Sequence, residues 1–437
     1  MQAEQPDDGR GDTRSVVALL SSVFAATAAM TLLDTILGKL VFDMTGSELD
    51  LGLLGLAAFT PAALLVFVTG PVADRVDRRR LAASAQAVEA LVIVGVAVYA
   101  STGPTSTLPI FLLVIGYGTA RAFATPATRA LPADTVSGER LPWLTARQAA
   151  TWQGGLVLGP VLGGFLSVVA PWVPFAAAAV LVVVAAGLVL LVHVRPFERS
   201  AGSVDGRTIA DADREGLREA VEGVRFVRSQ PVLLGAISLD LFAVLFGGAV
   251  ALLPAIAEDR LGVGAVGLGW LRAATGIGAG AVALFLTARP VSRRIGRALL
   301  VAVGVFGVGT IVLGVTTSFV VAFVALLVLS GADAVSVFIR STLVPLVTPA
   351  EKRGRVLAVE AVFIGASNEL GAFEAGVVGQ VLGPGAAVAL GGVATLAVAG
   401  LWWGCFPALR DVDRFPAAAD HVVRPGPLEP GLEGPLT

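Results

Sequence analysis

The sequence predicts an all-α membrane protein with twelve transmembrane helices in two six-helix, pseudo-symmetric halves. Three observations carry this prediction. Of 437 residues, 55% are hydrophobic and only 15% charged, with a mean hydropathy of +0.82, whereas soluble globular chains carry about 25% charge. Apolar stretches long enough to cross about 30 Å of hydrocarbon recur twelve times. Basic residues gather on alternate connections between those stretches. The same composition excludes a disordered chain, a disulfide scaffold and a nucleic-acid binder. Net charge is −2, Cys405 is the single cysteine, and His193 and His421 are the two histidines. One cysteine excludes an intramolecular disulfide, and two histidines argue against a histidine-built metal site or a histidine relay.

Taken in order, an acidic tail (residues 1–15) precedes span 1 at 16–42. Lacking a basic n-region and a small-residue cleavage site, that stretch reads as a retained helix. Spans 2 to 6 follow at 49–72, 81–101, 107–128, 144–170 and 172–194. Residues 195–230 interrupt the pattern with seven arginines, and Leu217, Val221, Val224 and Val227 recur there at helical spacing. This linker reads as an amphipathic helix on the membrane surface, with partner binding as the other possibility. Spans 7 to 12 are expected at 231–256, 263–288, 297–316, 319–342, 356–380 and 383–405, and a tail runs over 406–437. With the amino terminus inside, 25 of the 31 basic residues fall on the inner side and only Arg260 on an outer loop. Both termini and the linker are thus expected in the cytoplasm.

The two halves, 16–194 and 231–405, repeat one another. Gly70-Pro-Val-Ala-Asp-Arg-Val-Asp-Arg78 follows span 2, and Arg289-Pro-Val-Ser-Arg-Arg-Ile-Gly-Arg297 follows span 8, at an offset of 219. The same offset carries Arg121 onto Arg340 and Pro126 onto Pro345. Repeated halves are a common plan for secondary transporters, with the substrate site between them near the bilayer midplane.

Gly70, Asp74, Arg75, Arg78, Arg79 and Arg80 match the loop G-x-x-x-D-R-x-G-R-R-K/R, except that Asp77 stands where glycine is usual. On this motif the chain resembles the major facilitator superfamily. Within it, Thr45-Gly-Ser47, Ala122-Phe-Ala-Thr-Pro-Ala127, Gly159-Pro160-Val-Leu-Gly163-Gly164, Leu252-Leu-Pro254, Thr348-Pro-Ala-Glu-Lys-Arg-Gly-Arg355 and Phe363–Gly371 resemble the enterobactin-exporter (transmembrane secretion effector) branch. The likeness covers residues 16 to 410. It implies the major facilitator fold, a conformational latch at Gly70, Asp74, Arg75 and Arg78, and a cavity lined by spans 1, 4, 7 and 10. The latch acid is expected at the positive end of span 11 when the cavity is closed inside. The span 5 motif Gly159, Pro160, Gly163, Gly164 is similar to one associated with export in drug transporters. It reads either as a hinge and closure surface or as tight packing.

Ionisable residues within a bilayer are costly and mark pathways or partners. Asp34, Asp240 and Asp333 on the expected cavity spans are the proton-coupling candidates, and Asp34 leads because Leu33-Asp34-Thr35 resembles the acid-bearing span 1 of drug/proton antiporters. Arg121 is either their cavity counter-charge or a structural partner of Glu89, which lies at similar depth. Arg272 on span 8 overlaps in depth with Asn368, Glu369 and Glu374 on span 11, which suggests an interhelical polar pair. No phosphate-binding loop or convergent catalytic group occurs. The expected protein is not an enzyme and needs no cofactor or metal. It is a plasma-membrane exporter of a small, partly hydrophobic molecule such as a siderophore, antibiotic or other secondary metabolite, driven by proton antiport. Its partners are that cargo, protons and the lipid bilayer, with a single copy of the chain sufficing. An importer of a polar metabolite and a transport-dead sensor are the alternatives. Only two tyrosines and the span 5 motif weigh against the first, and the intact loop weighs against the second.

Overall fold

The computed structural model describes residues 9–194, 218 and 221–416, apart from the side chains of 9–12, 66, 67, 71, 74 and 75. The first half comprises helices Gly9–Thr45, Glu48–Arg75, Arg78–Ser101, Leu108–Thr135, Leu141–Leu166 and Val173–Leu190, which are spans 1 to 6. The second half comprises Pro231–Arg260, Gly264–Ala288, Ile295–Val315, Phe319–Val347, Ala350–Leu382 and Pro384–Cys405, which are spans 7 to 12. Among the described residues, eleven of these helices are long and apolar enough to cross a membrane. The other is Leu141–Leu166, whose first half carries Thr145, Arg147, Gln148, Thr151 and Gln153. It packs between span 1 and span 8.

Several helices outrun the expected spans because hydropathy marks only the lipid-embedded part. Span 11 begins at Ala350, and its charged first turns (Glu351, Lys352, Arg353, Arg355) read as loop in the sequence. Asp77 explains the one departure from the loop signature. It is the N-cap of span 3, and its carboxylate accepts from Arg79 N at 2.9 Å. The Arg79 guanidinium, which also donates to it, holds its carboxyl below the usual carboxylate range. Span 7 is the irregular helix. Its α-helical part Pro231–Phe246 passes through Gly247 into a 3₁₀ turn Gly248–Leu252, and a π turn Ile256–Arg260 ends it. Paired glycines and Pro254, which lacks an N–H, supply the local reason.

The two halves use the same packing scheme. In the first, span 1 packs on spans 5 and 6, span 3 on spans 4 and 6, and span 2 on span 4. In the second, span 7 packs on spans 11 and 12, span 9 on spans 10 and 12, and span 8 on span 10. Two seams join them, span 5 on span 8 and span 2 on span 11, and exchange of the halves converts one seam into the other. The cores follow this division. Phe175, Ile93 and Ile110 fill one, while Leu239, Leu299 and Ile339 fill another.

Of the linker, residues 195–217 lie outside the described residues, including Leu217. Residues 221–229 are helical, with Val227 buried against Val356 and Val221 exposed. That helix lies on the start of span 11, where Arg355 Nη1 meets Glu222 Oε2 at 2.7 Å. Residues 406–416, read from sequence as the beginning of a tail, are built into the fold. Gly296 N donates to Val412 O at 3.1 Å, and Leu409 is fully buried.

Candidate functional site

A cavity of about 990 Å³ lies between the halves. Its walls are largely apolar, with Asp34 and Arg121 contributed by the first half and Arg272, Asp333, Asn368 and Glu369 by the second. It extends to Thr69, Gly70, Thr125, Pro126 and Arg129, at the ends of spans 2 and 4 that face the linker.

The opposite ends of the spans are drawn together. Lys39 Nζ on span 1 pairs with Asp43 Oδ1 at 2.8 Å and with Glu258 Oε2 on span 7 at 3.0 Å. Beside it, a Cβ on Gly38 would meet Pro254 at 3.3 Å. On the other seam, Ser47 Oγ donates to Gln380 Oε1 at 2.9 Å, and a Cβ on Gly52 would stand 2.9 Å from Phe373 Cα. The cavity is therefore sealed away from the linker and open towards it.

Asp34 is exposed to the cavity although it sits deep between the helices, within the electrostatic reach of Arg121 and Arg272. Arg121 is held by its own half, donating to Tyr117 Oη at 3.2 Å and to Met30 Sδ. Among the described residues no carboxylate lies within the 4.0 Å of an ion pair from Arg121, so of its two readings the structural pair with Glu89 does not form. Glu89 is buried on span 3 and feels Arg121 only at longer range.

The structure corrects two further expectations. Asp240 does not line the cavity. It is buried behind it, with Arg340 Nη2 at 2.7 Å, and Glu360 completes a triad at 3.8 Å from Arg340 Nη1. Arg272 does not pair with span 11. The Glu369 carboxylate turns towards span 2, where a Cβ on Gly55 would lie 2.7 Å from Oε2. Asn368 Nδ2 donates to Ile364 O of its own helix at 2.9 Å, and Glu374 does not line the cavity. Depth along a helix carries no azimuth, and azimuth decided each case.

The span 5 glycines serve two surfaces. Gly159 and Gly163 face span 1, so that a Cβ on Gly159 would collide with Thr31 and the Ala28 carbonyl, and Thr31 Oγ1 donates to Gly155 O at 3.1 Å. Gly164 and Pro160 face span 8. A Cβ on Gly164 would sit 2.6 Å from Ala265 O, while Gly269 packs on the Pro160 carbonyl. In the loop after span 2, Gly70 lines the open end of the cavity and Arg78 Nη1 donates to both oxygens of Asp134 at 3.2 and 2.9 Å. The Asp74 and Arg75 side chains lie outside the described residues.

Sequence reasoning missed Lys39 with Glu258, which the internal repeat signals: the two positions differ by 219, the offset that relates Arg121 to Arg340. It also missed the capping role of Asp77.

The Major Facilitator Superfamily model matches residues 19–359. The multidrug efflux pump Tap of Mycolicibacterium fortuitum is 27% identical over 359 residues, covering 77% of this chain and 82% of the pump. Among solved structures, a bacterial homologue of the human lysosomal transporter Spinster in an inward-facing, occupied conformation aligns with a TM-score of 0.66 at 15% identity, covering 93% of this chain and 97% of that one. The human organic anion transporter MFSD10 aligns at 0.62 and 19% identity, covering 91% and 100%. At these identities the structures speak for the fold alone. The motif, the paired halves, the cavity between them and the match over most of the sequence agree: this multi-pass membrane chain belongs to the Major Facilitator Superfamily of transporters.

Proposed function

We propose that the chain exports a small, partly hydrophobic molecule across the bacterial inner membrane by proton antiport, alternating access between the two sides. The observation that carries this reading is Asp34: a carboxylate exposed in the middle of a sealed-ended cavity, between arginines of opposite halves. A group that meets each side in turn can return a proton inward as cargo leaves. Likeness to an efflux pump supports the direction. The reading also places both termini and the linker in the cytoplasm, following the basic residues, so that the cavity is open inward. Asp333 on span 10 is the fallback coupling acid, since it shares the cavity wall, and Asp240 stands behind it in its triad. One copy of the chain suffices.

Energised everted vesicles test the proposal. Addition of cargo should release protons from the lumen in the wild type. Asp34→Asn should abolish uphill transport while leaving cargo binding measurable. A full gradient maintained by Asp34→Asn removes Asp34 from the mechanism. The latch makes a second demand. A carboxylate at a helix N-terminus contributes about 0.3–1 kcal/mol, up to about 2 when partly buried. Asp74→Asn should therefore fold and insert yet lose most transport, and normal efflux by that variant refutes the latch.

A further inference from the structure

Arg272 is the anomaly of the cavity. Its Nε is buried without a hydrogen-bond partner, one of three such side-chain atoms among the described residues. No described side chain lies within ion-pair distance of its guanidinium, and its electrostatic partner is Asp34, farther than 4.0 Å away. The contrast with Arg121 is direct, because that guanidinium is tied to Tyr117 and Met30. Arginine stays charged at any physiological pH and presents five donors in a planar fork that matches a carboxylate edge. A guanidinium with its buried Nε left unbonded is costly unless something supplies an acceptor. Span 8 aims this one at the same cavity as Asp34, from the opposite half of the protein.

We infer that Arg272 receives the carboxylate of an amphoteric cargo whose cationic end lies at Asp34, so that one molecule bridges the two halves. This inference rests on the proposed export function and names the cargo class for it. The charge balance selects an amphoteric molecule over a simple acid. An anion alone would take Arg272 away from Asp34 and favour a proton entering alongside it, which is co-transport. A cargo that also brings a cation to Asp34 displaces the proton, as exchange requires. The remaining walls are apolar and suit a hydrophobic scaffold between the two charged ends.

Equilibrium binding to purified full-length protein, measured by fluorescence anisotropy without any gradient, tests this apart from transport. Three xanthene dyes serve as probes: a zwitterionic rhodamine with a free benzoate, its methyl ester, and fluorescein, which keeps the benzoate without the cation. Hydrogen bonds to charged groups are strong enough that the wild type should prefer the zwitterion to its ester by at least about tenfold. Fluorescein should bind more weakly than the zwitterion. Arg272→Gln should bring zwitterion and ester to within about twofold of each other while ester binding persists, and Arg272→Lys should regain part of the preference. Equal wild-type affinity for the zwitterion and its ester, including no measurable binding of either, overturns the inference, as does an undiminished preference in Arg272→Gln. Fluorescein binding as tightly as the zwitterion overturns the assignment of a cationic end to Asp34. Loss of gradient-driven efflux, by contrast, would strike at the export reading and leave these affinities untouched.

Discussion

Arg121 and Arg340 occupy equivalent positions in the two halves, five residues before matching prolines, yet they live in different worlds. Arg121 leans into the cavity, held by a phenol and a thioether. Arg340 is 4% exposed, gripped by Asp240 at 2.7 Å and approached by Glu360 at 3.8 Å. The surrounding sequence made the difference. Val114 and Ser21 stand in the first half where the second has Asp333 and Asp240, so only Arg340 found buried carboxylates. A duplicated residue keeps its place on the helix, and its neighbours decide whether it becomes a brace or a working charge.

The largest expected effect breaks the brace. Asp240→Ala removes the close partner of buried Arg340 and leaves it only Glu360 at 3.8 Å, so it should cost up to about 3–5 kcal/mol of stability, with expression falling accordingly. Arg121→Gln should leave thermal unfolding in detergent nearly unchanged and abolish transport. Replacing Asp240 and Arg340 together by leucine and methionine should recover most of the lost stability. Equal unfolding temperatures for Asp240→Ala and Arg121→Gln would erase the contrast.

A second pair of equivalent positions sharpens it. Asp77 caps span 3, while its mate Gly296 begins span 9 pressed against the Leu409 carbonyl. Gly296→Ala should destabilise by about 1–3 kcal/mol through overpacking. Asp77→Ala should cost about 1 kcal/mol through the lost cap, and this partly exposed contribution has a pH signature. Because the folded state holds the Asp77 carboxyl below its usual value near 3.9, the contribution is complete above about pH 4 and fades as pH falls through the lower folded value. Chemical unfolding of the two variants at neutral pH and at pH 3 reads both effects. A Gly296→Ala protein as stable as wild type would show that residues 406–416 yield without cost.

The smallest effect concerns the seal. Lys39 and Glu258 are partly exposed, so their pairing is worth about 0.2–1 kcal/mol. Lys39→Gln should move the balance towards the outward-open form by only a few-fold, read by double electron–electron resonance between labels at the sealed ends of spans 1 and 7. The exchange Lys39→Glu with Glu258→Lys, in an Asp43→Asn background, should restore the wild-type distance distribution. A distribution unchanged in Lys39→Gln would mean that the apolar contacts around Pro254 close that end unaided.

Much of this molecule was legible in its residues. Hydropathy located the helices within a few positions, because the bilayer imposes a length, and the repeat announced the paired halves. Of the four charges expected on cavity spans, Asp34, Arg121 and Asp333 line the cavity and Asp240 does not. Arg272, Asn368 and Glu369 read as an interhelical polar pair, and instead they line the cavity without pairing. Rise per residue gives depth, but the face a side chain presents depends on how a helix is rolled against its neighbours, and the pattern of a helix apolar all round does not encode roll. The mean hydropathy of span 5 is lowered for another reason: Thr145, Arg147, Gln148, Thr151 and Gln153 crowd its first half, where Gln153 Nε2 reaches across to the Gly276 carbonyl of span 8.

The pairing of Lys39 with Glu258 also bears on ancestry. A residue that touches its own counterpart must sit beside the internal twofold axis. Had the protein remained two identical subunits, that spot would bring lysine against lysine or glutamate against glutamate, and a like pair repels. Once the two copies were separate sequences, the positions could mutate independently and acquire opposite signs. The ion pair follows the duplication, and it marks where two distinct copies carry an asymmetry that a symmetric dimer of one sequence is forbidden to have.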